Sequence, residues 1–277
     1  MRRASIWLAA LGLIALSLPA VSTAAEPTAS ITVFKAKVVP IPKPGGGTWP
    51  HTGNILGAGG DVEIEYVFEG SGYGASPQNP KGSIPPISQV NFYLDAGAKL
   101  HPAGFGSCTS AKLQKVGPSG CPTSSSAGAV GRVLGEVTFG TERVPEELEL
   151  RELFGEGGLL TYTAGHSPTA LEIVSKGHWI NSHQPPYGEE LVTLVPPVAT
   201  VPGAPLASVK TINLKAGAAI KKGGKLISYG TVPTKCKGGL RVKTEVVFGG
   251  TYGGEREFGI PAKTLTATYK APCPKKH

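Results

Sequence analysis

The chain is poor in the groups that chemistry usually needs. Only Asp61 and Asp95 are aspartates among its 19 acidic residues, methionine occurs once, and charged residues make up 17% of the 277 positions. Both aspartates fall within strand-like segments, so no acid stands ready to orient a histidine beside a nucleophilic serine. Gly165-His166-Ser167 begins like a nucleophile elbow, but the closing Gly is missing and Pro168 stands where the following helix would start. No Cys-x-x-Cys pair and no Cys/His cluster occurs, which argues against a zinc site. His178 and His183 flank Trp179 without a third ligand, which places them as surface loop histidines. After Leu18 there is no second long apolar run, so no membrane-spanning helix is expected in the mature chain.

What the chain has in abundance is glycine and proline, 39 and 25 residues, without a repeating period. Segments of alternating apolar and polar residues lie between them. Val62, Ile64, Tyr66 and Phe68 alternate with Glu63, Glu65 and Val67, and Val90, Phe92 and Leu94 alternate with Asn91 and Tyr93. This is the two-residue period of strands with one buried face. Further strands are predicted over Ser30–Val39, Val130–Phe139 (one strand or a pair), Leu159–Thr163, Ala170–Ser175, Glu190–Val195, Val209–Leu214, Leu226–Val232, Leu240–Phe248 and Leu265–Tyr269. Pro145–Phe154 is the one candidate helix, with Pro at its first position, Glu146 and Glu147 in the first turn and Gly155 after its end. Leu148 and Leu150 fit a strand equally. The expected fold is all-β: an antiparallel β-sandwich of many short strands in two lobes, with at most one short helix.

Arg2 and Arg3, the apolar run Ile6–Leu18 and the small residues to Ala25 have the layout of a secretory signal peptide, residues 1–25. An N-terminal lobe over 26–195, a Pro-rich connection over 196–205 and a basic C-terminal lobe over 206–277, packed with the first as one unit, are expected to follow. Glu26–Thr200 holds 11 basic against 16 acidic residues, a net of −5, whereas Val201–His277 holds 14 against 3, a net of +11. In an oxidising compartment Cys108, Cys121, Cys236 and Cys273 form two disulfides. Of three possible pairings the local one, Cys108 with Cys121 and Cys236 with Cys273, is favoured, because each pair flanks a compact segment.

Neither glycine-rich turn cradles phosphate. The stretch Glu69–Gly74 is followed by Pro77 and Pro80 where a helix would begin, and Gly217–Lys225 has the wrong spacing, with Leu226 in place of a hydroxyl residue. The glutamates Glu146, Glu147, Glu149 and Glu152 crowd one short segment, as on a solvated face, rather than facing each other across a cleft. Lys215, Lys221, Lys222, Lys225, Lys235 and Lys237 are candidates for a basic patch that meets an anionic wall polymer or polysaccharide. Lysines on strand edges also serve to block edge-to-edge aggregation. Trp49 and Trp179 are candidates for stacking on sugar rings, or for plugging the ends of a sandwich.

Several stretches carry a resemblance to a known group: Val90–Leu94 followed by the Cys108 loop, Cys121-Pro122 with its small-residue tail to Gly131, Val209–Leu214 with Gly217, and Val232-Pro233-Thr234-Lys235-Cys236 through Cys273-Pro274. In these the chain is similar to exported β-rich proteins of unknown function from high-GC Gram-positive (actinobacterial) soil bacteria. The resemblance implies secretion, a β fold with two local disulfides, and no catalytic residues to carry over. The expected function is therefore that of a secreted, non-catalytic structural or adhesive protein, extracellular or associated with the cell wall. A module for carbohydrate or anionic wall polymer is the alternative, and a secreted hydrolase the third reading. No catalytic, metal or cofactor residue and no nucleic-acid partner is expected.

Overall fold

A computed structural model of the chain describes residues 26–41, 47, 61–139, 142–232, 236, 238–252 and 256–273. Its centre is a single antiparallel sheet of eleven strands. In chain order these are β1 (Thr28–Val39), β2 (Asp61–Ser71), β3 (Ile87–Asp95), β4 (Gly131–Phe139), β5 (Glu142–Gly155), β6 (Gly158–Gly165), β7 (Leu171–Asn181), β8 (Tyr187–Leu194), β9 (Ser208–Ala216), β10 (Leu240–Phe248) and β11 (Lys263–Ala271). Across the sheet they run β1-β2-β9-β4-β5-β6-β7-β8-β3-β10-β11. The sheet curls until its two edge strands, β1 and β11, lie side by side. No main-chain ladder joins them among the described residues, so the barrel is nearly closed rather than complete.

The all-β expectation holds, but the sheet does not form a sandwich of short strands. The barrel strands run from 8 to 14 residues. Nor does the sheet divide at the Pro-rich stretch into two lobes. Strand β9, from beyond that stretch, inserts between β2 and β4, and β10 pairs with β3. The segment from Pro196 to Leu206 lies across one end of the barrel as a strap. Arg143 holds it there, donating from Nη1 to the Leu206 carbonyl at 2.9 Å and from Nη2 to Ser208 Oγ at 2.7 Å, while Nε reaches Ser83 Oγ at 3.0 Å. The Tyr73 hydroxyl accepts from Leu206 N at 3.0 Å. Proline suits such a strap, because a segment outside the ladder has no use for the missing donor.

Alternation decides which face is inside. On β2, Ile64, Tyr66 and Phe68 are buried while Glu63 and Glu65 face out to Lys37 and Lys35 on β1, at 3.2 and 3.7 Å. Arg132–Glu147 and Lys210–Glu136 continue this outer charge around the barrel. Ion pairs outside and apolar side chains within are the reverse of a lipid-facing barrel.

Pro145–Phe154, the candidate helix, lies inside strand β5. The two-residue period of Leu148, Leu150 and Phe154 prevails over the capping signals, because it completes the barrel wall. The described helix of the α type is instead Ser110–Val116, within the turn-rich stretch between Cys108 and Cys121. Thr109 caps its start, accepting from Lys112 N at 3.3 Å, and Gly117 N closes its end on the Leu113 carbonyl at 2.9 Å. Leu113 is fully buried on the outer face of the sheet, against Leu153, Leu160, Tyr162 and Val174. This helix explains why those outward positions are apolar.

The disulfides pair as the local reading expects, Cys108 with Cys121 and Cys236 with Cys273, with Cα separations of 5.4 and 5.8 Å. The first clamps the helical segment against the wall, and the second ties the approach to β10 to the end of β11. With sequence separations of 13 and 37, replacing each pair by alanines lowers the unfolding free energy by about 3 and about 4 kcal/mol respectively on loop-closure entropy. Urea titration of the two double variants measures both losses, and the larger should belong to Cys236–Cys273.

Candidate ligand-binding cavity

Barrel width grows with strand number. At about eight strands the interior is just wide enough for side chains to fill, or to hold one small ligand. Eleven strands enclose more, and only part of this interior is packed. One wall is a cluster of aromatic rings from β1, β2, β3 and β10. Phe34 and Tyr66 have centroids 5.2 Å apart, Tyr66 stacks on Phe68 at 5.6 Å, and Phe248 meets Phe68 edge-on at 5.8 Å. The opposite wall, from β4 to β7, is aliphatic: Val133, Val137, Leu148, Leu150 and Leu171. A cavity of about 220 Å³ lies between the two walls.

One end of the cavity is plugged by another ring cluster. Phe154 at the end of β5 stacks on Tyr229 at 4.2 Å, and Phe105 meets both edge-on at 5.1 and 5.5 Å. Tyr229 precedes a two-residue ribbon, Gly230–Thr231 with Lys99–Leu100, that closes over the same end. The Arg143 strap lies at the other.

Within this apolar space the lining has a narrow polar belt. Glu152 on β5 faces Thr161 on β6, Thr161 faces Ser175 on β7, and Thr163 and Thr193 flank them. Directly opposed residues on neighbouring strands have Cβ atoms about 5 Å apart, so these groups form one continuous patch. Glu152 is 4% exposed. The Thr161 hydroxyl lies 3.0 Å from each of its carboxylate oxygens. Burial pushes the Glu152 carboxyl up to about 7, and the Thr161 hydrogen bond opposes this only in part. A second inward carboxylate, Glu146, is fully buried nearer the strap, with Oε2 facing Thr169 N at 3.4 Å and Oε1 without a partner.

The glutamate cluster is therefore not one solvated face. Glu147 and Glu149 are exposed, whereas Glu146 and Glu152 share the inward parity of Leu148, Leu150 and Phe154. That parity is the sequence signal for the cavity carboxylate: a charged residue at an apolar position of an alternating strand. It is legible only when the segment is read as a strand.

Of the candidate basic residues, Lys221, Lys222 and Lys225 come together in the hairpin Ala219–Lys222/Lys225–Ser228, with Lys222 opposite Lys225. Lys215 stands apart on the outer wall, 3.9 Å from Glu63. It also opposes the burial that pushes the Asp61 carboxyl up to about 7. Lys235 and Lys237 lie outside the described residues, as do Trp49 and residues 1–25. Trp179 is half-buried near the end of β7. Its ring lines the cavity beside the Phe154 cluster, with its side chain directed to the Tyr229 hydroxyl. His178 is on the outer wall of β7 and His183 in the turn that follows, while His166 and Ser167 occupy the turn between β6 and β7. No known protein family, curated protein or solved structure matches this chain.

Proposed function

We propose that the protein binds one small, predominantly apolar molecule inside the barrel, holding it without altering it, and that it does so outside the cell. The cavity carries this reading. Close-packed interiors leave few voids larger than a water molecule. At the scaling seen for core cavities, an empty space of this size costs about 5 kcal/mol, a large share of a domain's net stability. An apolar cavity of about 150 Å³ already accepts a benzene-sized guest. A mostly apolar pocket with a few convergent polar groups is the usual form of a small-molecule site. The two disulfides and the signal-like residues 1–25 support export. This reading keeps the expected absence of catalysis and replaces adhesion with capture of a ligand.

Titration with the neutral lipophilic dye N-phenyl-1-naphthylamine tests the proposal. Fluorescence should rise and saturate at one dye per chain. Ile173→Trp, which replaces a branched aliphatic side chain of the cavity lining with a bulky indole ring, should weaken dye binding at least about tenfold. Failure of the folded protein to enhance the dye, or equal binding by the Ile173→Trp variant, would overturn the reading.

A further inference from the structure

We infer that the molecule held in the barrel is a lipophilic amine, an apolar chain or ring system whose ammonium group pairs with Glu152. The inference rests on the ligand-binding reading above and deepens it. Among the described lining residues the ionisable groups are Glu152, Lys99 and the phenols of Tyr66 and Tyr229. Lys99 is exposed in the covering ribbon, and the Tyr66 hydroxyl is engaged with Thr244 at 3.1 Å. Glu152 is thus the charge-bearing group within the cavity.

A carboxylate accepts about four hydrogen bonds and an ammonium donates three. The described structure supplies Glu152 with the Thr161 hydroxyl alone, and no lysine or arginine is paired with it. An ammonium placed in the belt would donate to Glu152 and to hydroxyl oxygens of Thr163, Ser175 or Thr193, while its apolar remainder meets Leu150 and Ile173. A fatty acid in the same position would bring a second carboxylate against the first, which disfavours ionisation of both. A neutral alcohol would gain one ordinary hydrogen bond and no charge pairing.

The groups facing Glu152 also determine how binding depends on pH. Its own strand contributes Leu150 and Phe154, β6 contributes Leu159, Thr161 and Thr163, β7 contributes Ser175, and the other titratable groups of the described lining are Tyr66, Tyr229 and the exposed Lys99. Neither another carboxylate nor a histidine is among them. Glu152 must ionise to pair with an ammonium, and burial holds it protonated up to about pH 7. Amine affinity should therefore rise about tenfold between pH 6 and pH 8.

Octylamine, octanol and octanoic acid, which share one tail, are compared by displacement of N-phenyl-1-naphthylamine and by direct calorimetry. At pH 8 octylamine should bind at least about tenfold more tightly than octanol, with octanoic acid weakest. That advantage should shrink at pH 6 and disappear in Glu152→Gln, whose fold is checked by its far-ultraviolet spectrum. Octanol or octanoic acid matching octylamine at pH 8, or an amine advantage that survives in Glu152→Gln, would overturn the inference and leave the cavity reading standing. Absence of binding by the dye and by all three octyl compounds would remove both.

Discussion

At pH 8 the Glu152→Gln variant should resist urea better than the parent protein by about 3 kcal/mol, and at pH 4.5 or below the two should be nearly equal. The carboxyl moves from an ordinary 4.5 to about 7 because the cavity wall strips it of water. An acid whose folded value lies above its unfolded value binds a proton more tightly in the folded state. Its favourable contribution is complete below pH 4.5, declines as pH rises, and is gone above about 7. Glutamine keeps the shape and an acceptor for Thr161 but has no proton to lose. Its advantage should therefore grow across that window and then level off. Asp61, also raised to about 7 by burial against the opposing effect of Lys215, acts with the same sign, so the variant should keep part of the decline. Asp95, Glu136 and Glu245 are lowered despite burial, by hydrogen bonds and ion pairs with Arg241, Lys210 and Lys243 respectively, and should account for lost stability at more acid pH. Urea midpoints at pH 4.5, 6 and 8 separate these contributions. A difference between variant and parent that is the same at all three values would show that Glu152 is not held in an apolar site.

Phe248→Ala should cost about 4 kcal/mol, whereas Ile212→Ala, also inside the barrel, should cost about 2 kcal/mol or less. Phe248 is 1% exposed and packed between Phe68 and the neighbouring strands, so its removal leaves a new void in a filled region. Ile212 points inward from β9 but is only half-buried, because one side of it faces the cavity. Atoms that already lack neighbours on one side have less dispersion energy to lose. Urea unfolding of the two variants decides the matter. Equal losses would mean that the interior is packed throughout and that no room for a ligand exists.

The aromatic wall was legible because it sits on strict alternation. Ile64, Tyr66 and Phe68, like Val90 and Phe92, are identified as inward by counting. The disulfides were legible too, since sequence-local cysteines need no knowledge of the fold to find each other. The helix Ser110–Val116 was not, because seven residues with one buried apolar side chain carry no detectable period. Glu152 was hidden for a different reason. Helix-capping signals and strand alternation compete over Pro145–Phe154, and the outcome depends on the pairing of β5 with β4 and β6, which are separate stretches of chain.

Outside Ser110–Val116 and Pro145–Phe154, which stretches are strands, where they turn and which side chains point inward follow from local rules of period and turn chemistry, and the amino-acid order determines them. The sequence of strands around the sheet does not follow from such rules. Inserting β9 between β2 and β4 and closing β1 toward β11 depends on contacts between residues far apart in the chain. The cavity arises one level higher still. It is the mismatch between an eleven-strand circumference and the volume of the side chains pointing into it, and that difference exists only once the barrel has curled.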